Sequence, residues 1–152
     1  MPNARDNGYD VDGSVLEGGG QILRIAVALS AITGRPLRIH KIRAGRKSPG
    51  LSNQHKEGIE LVGRMCAGKL SGCAIRSQEL SLTPGRISSG RFTGDSVTAG
   101  SVSLLLQVAL PCALFADGPT TLRLRGGTNA ELCYVLNYLD RILTSISNVD
   151  YG

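Results

Sequence analysis

Tryptophan is absent from this 152-residue chain, and Phe and Tyr together make up only 4% of it. The core must therefore be built from Leu, Ile, Val and Ala, within an apolar share of 41% that is too high for a disordered chain. No apolar run approaches the roughly eighteen residues a membrane span needs. The amino-terminal MPNARDNGYD lacks the apolar stretch of a secretory leader, so the expectation is an intracellular protein with no membrane partner. Cysteine is present at Cys66, Cys73, Cys112 and Cys133, without a CxxC pair, and the two histidines do not complete a convincing zinc set. The even count permits disulfides, but Cys66 and Cys112 sit in apolar helical patterns and read as buried free thiols. Neither GxxxxGK[ST] nor GxGxxG occurs.

The most informative absence is of acid. No Asp or Glu stands between Glu17 and Glu57, a window that holds Arg24, Arg35, Arg38, Lys41, Arg43, Arg46, Lys47 and Lys56. The net charge of +5 is thus unevenly spread, and nothing close in sequence neutralises these bases. A solvated face is the ordinary reading of a charge run. Here, however, bases alternate with glycines in RAGRKSPG, a loop composition that brings backbone N–H groups close to an anion. A phosphate-bearing partner is the expectation.

The apolar periodicity predicts a short strand at Tyr9 to Asp12 and a helix with Ile22, Ile25, Ala26 and Leu29 on one face, closed by Gly34. A strand from Leu37 to Ile42 follows, then a helix from Ser52 to Gly68 with Ile59, Val62 and Cys66 together. Cys73 to Arg76 and Leu80 to Thr83 read as a strand pair, ended by Pro84-Gly85. The pattern then restarts, with a strand at Arg91 to Gly94, an apolar helix from Val102 to Phe115, a strand at Thr121 to Arg125 and a helix from Leu132 to Ile146. Ala28-Leu29 matches Ala109-Leu110, and Ala44-Gly45 falls opposite Gly126-Gly127, an offset of about 81 or 82 residues. The expected fold class is α+β, built of repeated β-α-β-α-β-β units with two helices on a sheet. Residues 1–8 are expected to be disordered, 9–86 to form the first unit, and 87–152 a second unit that stops before its last two strands. An open sheet edge and a partly uncovered Val102 to Phe115 helix would favour self-association.

Gly18-Gly19-Gly20 directly before a helix is an anion seat in principle, because the first helical N–H groups lack partners. A tight turn is the competing reading of a glycine triplet. Glu17 beside it would repel a phosphate unless a cation stands between them. Arg24, a turn into an otherwise apolar helix, is expected to look back toward this loop.

Taken together, EGGGQILR, KIRAGRKSPGLSNQH, TAGSVSLLLQVALP and RGGTNAE, in this order and spacing, resemble the RNA 3'-terminal phosphate cyclase family. The likeness begins near Val11, is close through Glu131, and covers the N-terminal part of a family chain. It implies ATP-dependent conversion of an RNA 3'-phosphate into a 2',3'-cyclic phosphate, through an enzyme–AMP and then an RNA–adenylate. The partners implied are ATP, a divalent cation (Mg or Mn) and RNA with a 3'-phosphate end, in the nucleus of a eukaryote or otherwise the cytoplasm. By the same resemblance, Glu17 would lie by the ATP phosphates and metal. Arg24, Arg43 and Arg46 would clamp phosphates, His55 would assist them, and Gly18, Gly19, Gly20, Gln21 and Gln107 would contact the nucleotide.

Two departures stand out. The family's adenylated histidine lies toward its C-terminus, and neither His40 nor His55 occupies that position. The isolated chain is therefore not expected to adenylate itself. After Asn129-Ala130-Glu131, where the family continues with a small residue and proline, this chain has Leu132-Cys133-Tyr134. The main alternative is a non-catalytic, cyclase-like RNA-binding protein acting in ribosomal RNA processing. Those relatives lack the glycine triplet and parts of the arginine–histidine set, which this chain keeps. An enolpyruvyl transferase shares the repeated build, but the motifs argue against it.

Overall fold

A computed structural model of the chain describes residues 8–15, 18–96 and 100–127. Its elements run β1 (Tyr9–Asp12), α1 (Gly20–Thr33), β2 (Leu37–His40), α2 (Asn53–Met65), β3 (Lys69–Ser71), β4 (Leu80–Thr83), β5 (Gly90–Asp95), α3 (Val102–Leu114) and β6 (Thr120–Arg125). The fold is α+β. β1 and β2 pair in parallel, as strands joined through a crossover helix must. Antiparallel β4 and then β3 complete a sheet of order β1-β2-β4-β3. β5 and β6, again joined through a helix, form a second parallel pair. The β-α-β start of the chain thus recurs after β4. The helix expected from Leu132 to Ile146 lies outside the described residues, as do residues 1–7.

Local chemistry explains the boundaries. α1 ends at Gly34, whose φ of 68° is the left-handed cap that glycine adopts without a Cβ penalty, and Pro36 then precedes β2. Ser52 caps α2. Leu37 faces Leu82 and Ile39 faces Leu80 across the β2–β4 ladder, so all four apolar side chains enter the core. One buried cluster joins α1, α2 and α3 with both sheets, and Leu61, Val62, Met65, Val108 and Cys112 are almost fully excluded from water.

Two expectations change. The buried stripe of α1 is Leu23, Val27, Ala28 and Ala31, while Ile25 and Leu29 are about half exposed, at 52% and 48%. α1 is apolar on nearly all sides, so helical spacing offers two stripes, and packing against α2 and α3 selects one. The strand beside β4 is Lys69–Ser71 rather than Cys73 to Arg76. The latter segment turns away, with positive φ at Gly72 and Arg76, because its hydrogen bonds go to another loop: Arg76 N–H to Leu51 O at 2.7 Å, and Leu51 N–H to Ser77 O at 3.0 Å. At the end of α3, Leu114 and Phe115 are largely exposed.

Among the described cysteines, Cys66, Cys73 and Cys112 are free thiols, and the first and last are buried. Burial pushes the Cys112 thiol up to about 12 and the half-buried Cys73 up to about 11, which leaves both unreactive at neutral pH. Cys133 lies outside the described residues. No helix among the described residues is long and apolar enough to cross a membrane.

Candidate anion-binding site

Two loops meet at one end of the first sheet. The first leads from β1 through Gly18 and Gly19 into α1, and the second leads from β2 through Arg43 and Arg46 into α2. They are tied where they start. Gly13 N–H donates to His40 O at 2.7 Å, and Lys41 Nζ reaches Asp12 Oδ2 at 2.9 Å. Asp12 also accepts from the backbone and hydroxyl of Ser14, and those bonds, with Lys41, hold its carboxyl well below the usual carboxylate range.

The start of α1 has no side-chain cap at Gly19. A Cβ at Gly20 would overlap His55 Nε2 and come within 3.0 Å of Arg24 Nη1; one at Gly19 would sit 3.4 Å from Arg46 Nη2. The turn is therefore glycine because a histidine and two arginines converge on it. Gly18, Gly19, Gly20, Gln21, Arg24 and Arg46 line one end of a cleft of about 1070 Å³, and His55 adjoins Arg24 in a small cavity behind it.

His55 is the third residue of α2. The Ser52 amide donates to its Nδ1 at 3.2 Å, and the Ser52 hydroxyl lies 2.9 Å from the same nitrogen. A backbone amide can only donate, so Nδ1 is the acceptor and Nε2 carries the proton. Burial, then the charges of Arg43 and Arg24, push the imidazole down to about 4. At neutral pH His55 is an uncharged donor whose N–H points at Gly20.

Arg24 donates from Nε to Gln107 Oε1 at 3.1 Å, which links α1 to α3 and leaves Nη1 for the glycine turn. Burial lowers its pKa, but a guanidinium stays charged at neutral pH. Arg43, with a φ of 52°, donates from Nη1 to Gly50 O at 2.8 Å and so closes its own loop, while its charge still acts on His55. Arg24, Arg46, His55 and the glycines thus come together. Arg43 braces the loop beside them, and Gln107 meets Arg24. Glu17 lies outside the described residues. Among those described, no three His, Cys, Asp or Glu side chains form a metal cluster. Sequence reasoning missed Ser52 and the Asp12–Lys41 tie. Ser52-x-x-His55 is a capping box with histidine in the place of Glu or Gln, and Asp12-Gly13 is a turn signal.

The sequence profile of the RNA 3'-terminal phosphate cyclase family matches residues 15–148, which include every candidate residue from Glu17 to Gln107. The chain belongs to that family. It is 45% identical over 141 residues to the RNA 3'-terminal phosphate cyclase of Methanopyrus kandleri, covering 88% of this chain and 40% of that protein. It is 46% identical over 130 residues to the Ignicoccus hospitalis protein of the same name, covering 86% and 37%. With a probable RNA 3'-terminal phosphate cyclase of Dictyostelium discoideum the identity is 42% over 142 residues, covering 91% and 33%. The chain thus spans roughly two-fifths or less of the length of these curated cyclase relatives.

Proposed function

We propose that this chain forms the phosphate-binding part of an RNA 3'-terminal phosphate cyclase, which converts an RNA 3'-phosphate to a 2',3'-cyclic phosphate in an ATP-dependent reaction. The observation that carries this reading is the convergence of Arg24, Arg46 and His55 on Gly19-Gly20 at the start of a helix. A helix start edged by two guanidinium groups and an imidazole N–H suits phosphate oxygens. ATP, when bound, supplies the phosphoanhydride bond whose cleavage drives ring closure. Arg24 and Arg46 offset and orient the phosphate charges, and the α1 amides and His55 Nε2–H add fixed donors. His55 acts as donor rather than nucleophile, since Ser52 occupies its Nδ1 lone pair and its Nε2 is protonated. Glu17 is the carboxylate assigned to a divalent cation in the same reading, and Gln21 and Gln107 are assigned to the nucleotide.

Calorimetric titration of the chain with tripolyphosphate, ATP and 3'-phosphorylated RNA tests this reading. A charge-assisted contact contributes about 1.5–3 kcal/mol, so Arg24→Met or Arg46→Met is expected to weaken tripolyphosphate binding on the order of tenfold to a hundredfold. Wild-type affinity in both variants, or no binding of any phosphate probe, would sink the proposal.

A further inference from the structure

The two sheets differ in how they handle charge on their outer faces. On the first, acids and bases match: Arg38 lies 3.8 Å from Glu79, His40 3.6 Å from Asp10 and Lys41 2.9 Å from Asp12. On the second, alternation turns Phe92, Gly94, Leu122 and Leu124 toward the core and leaves Arg91, Arg123 and Arg125 exposed on the outside. The register places Arg91 beside Thr121, Thr93 beside Arg123 and Asp95 beside Arg125. Among the described residues, Arg91, Arg123 and Arg125 thus share this face with one carboxylate, Asp95, and no ion pair involves any of the three arginines. Arg64 at the β5 edge, by contrast, is matched by Glu57 at 3.5 Å.

The two strands are parallel, and β5 ends against the first turns of α2, the helix that carries His55. Asp95 N–H donates to Glu57 Oε1 at 3.2 Å, Asn53 Nδ2 donates to Ser96 O at 3.0 Å, and Ser101 N–H, between β5 and α3 and bridged to Gly127 just past β6, donates to Gln54 Oε1 at 3.3 Å. The basic face therefore runs toward the glycine–arginine site.

We propose that the outer face of the β5–β6 sheet is a docking track for the body of an RNA strand whose 3' end enters that site, an inference that rests on RNA being the substrate. Arg123 and Arg125, two residues apart on β6, have backbone positions about 6.6 Å apart along the strand and side chains on the same face. Thr93 and Thr121 set hydroxyls between the bases, suited to phosphate and 2'-OH oxygens. No aromatic side chain stands on this outer face among the described residues, so bases are not stacked there. Such a face grips the backbone without reading sequence.

Fluorescence anisotropy with a 5'-labelled RNA dodecamer bearing a 3'-phosphate, run across a salt series on the full chain, tests the track. The triple variant Arg91→Gln, Arg123→Gln, Arg125→Gln is expected to lose affinity on the order of tenfold, and its log–log salt slope should fall by about 2. Tripolyphosphate binding should be unchanged, and the corresponding triple Lys variant should retain the salt slope whether or not the Gln variant folds. Wild-type affinity and slope in a folded Gln variant would overturn the track while leaving the phosphate site standing. Displacement of the dodecamer by equimolar polyglutamate would also overturn it, in favour of an acidic protein partner. A wild-type chain that binds neither RNA nor tripolyphosphate would instead count against the cyclase reading itself.

Discussion

Gly20→Ala is the sharpest perturbation of the phosphate site, because backbone preference and site geometry pull in opposite directions. Alanine is favoured over glycine in a helix by about 1 kcal/mol, so an unconstrained first turn would gain stability. Here the new Cβ would overlap His55 Nε2, lie 2.9 Å from Cδ2 and 3.0 Å from Arg24 Nη1. The ring can move only by giving up the two Ser52 contacts at Nδ1, each worth about 0.5–1.5 kcal/mol. These terms nearly offset, so the expected stability change is small, a loss of roughly 0–2 kcal/mol, while the site is rebuilt around an expelled imidazole. An imidazole turned out to water loses the burial that holds it near 4, so its pKa should rise toward the ordinary 6.5. NMR titration of the ring protons reads this directly, because the chain has only two histidines and His40→Gln assigns the signals. Tripolyphosphate affinity should fall on the order of tenfold or more. If His55 titrates as in the wild type and tripolyphosphate binds equally well, the convergence on Gly20 is not what shapes the site.

Three further outcomes follow from the same geometry. Because the folded-state pKa of His55 is depressed to about 4, the native state resists protonation; its contribution to stability is complete above pH 6.5 and is lost as pH falls toward 4. The loss amounts to about 3 kcal/mol, and urea midpoints of the wild type and His55→Gln across that window should diverge; parallel curves would contradict the burial argument. Lys41→Met cuts the tie to Asp12, an exposed pair worth under about 1 kcal/mol, so the melting temperature should barely move while tripolyphosphate affinity drops several-fold; unchanged affinity would mean that the tie does not position the loops. Gly50 has a φ of 82°, and a Cβ there would overlap the Arg76 carbonyl, so Gly50→Ala should cost about 2 kcal/mol or more and release the loop that Arg43 closes, with an unshifted urea midpoint as the refuting result.

The motifs that mark the site are local, and that is why they could be read early. A glycine triplet before a helix, an acid-free basic stretch and SNQH at a helix start each report on a few neighbouring residues, and the elements that carry them fall where periodicity placed them. The choices that periodicity leaves open were settled elsewhere. Ile25 and Leu29 have the spacing of a core stripe, yet α2 and α3 take Leu23, Val27, Ala28 and Ala31 instead. Cys73 to Arg76 alternates like a strand, but its backbone partners are Leu51 and the loop around it.

Sequence alone determined the α+β class, the recurrence of the β-α-β pattern and the stretch of chain that carries the proposed anion site, because each follows from hydrogen-bonding preference, apolar spacing or unneutralised charge. Only tertiary structure decided what each basic side chain does there. Arg24, Arg43 and Arg46 are alike in composition and charge, yet one is turned by Gln107 on another helix, one is engaged by its own loop, and one lies against Gly19. The protonation state of His55 likewise depends on Ser52 three residues before it, on burial, and on two arginines contributed by other elements. Such roles are set by distance and dielectric between parts of the chain that only the fold brings together.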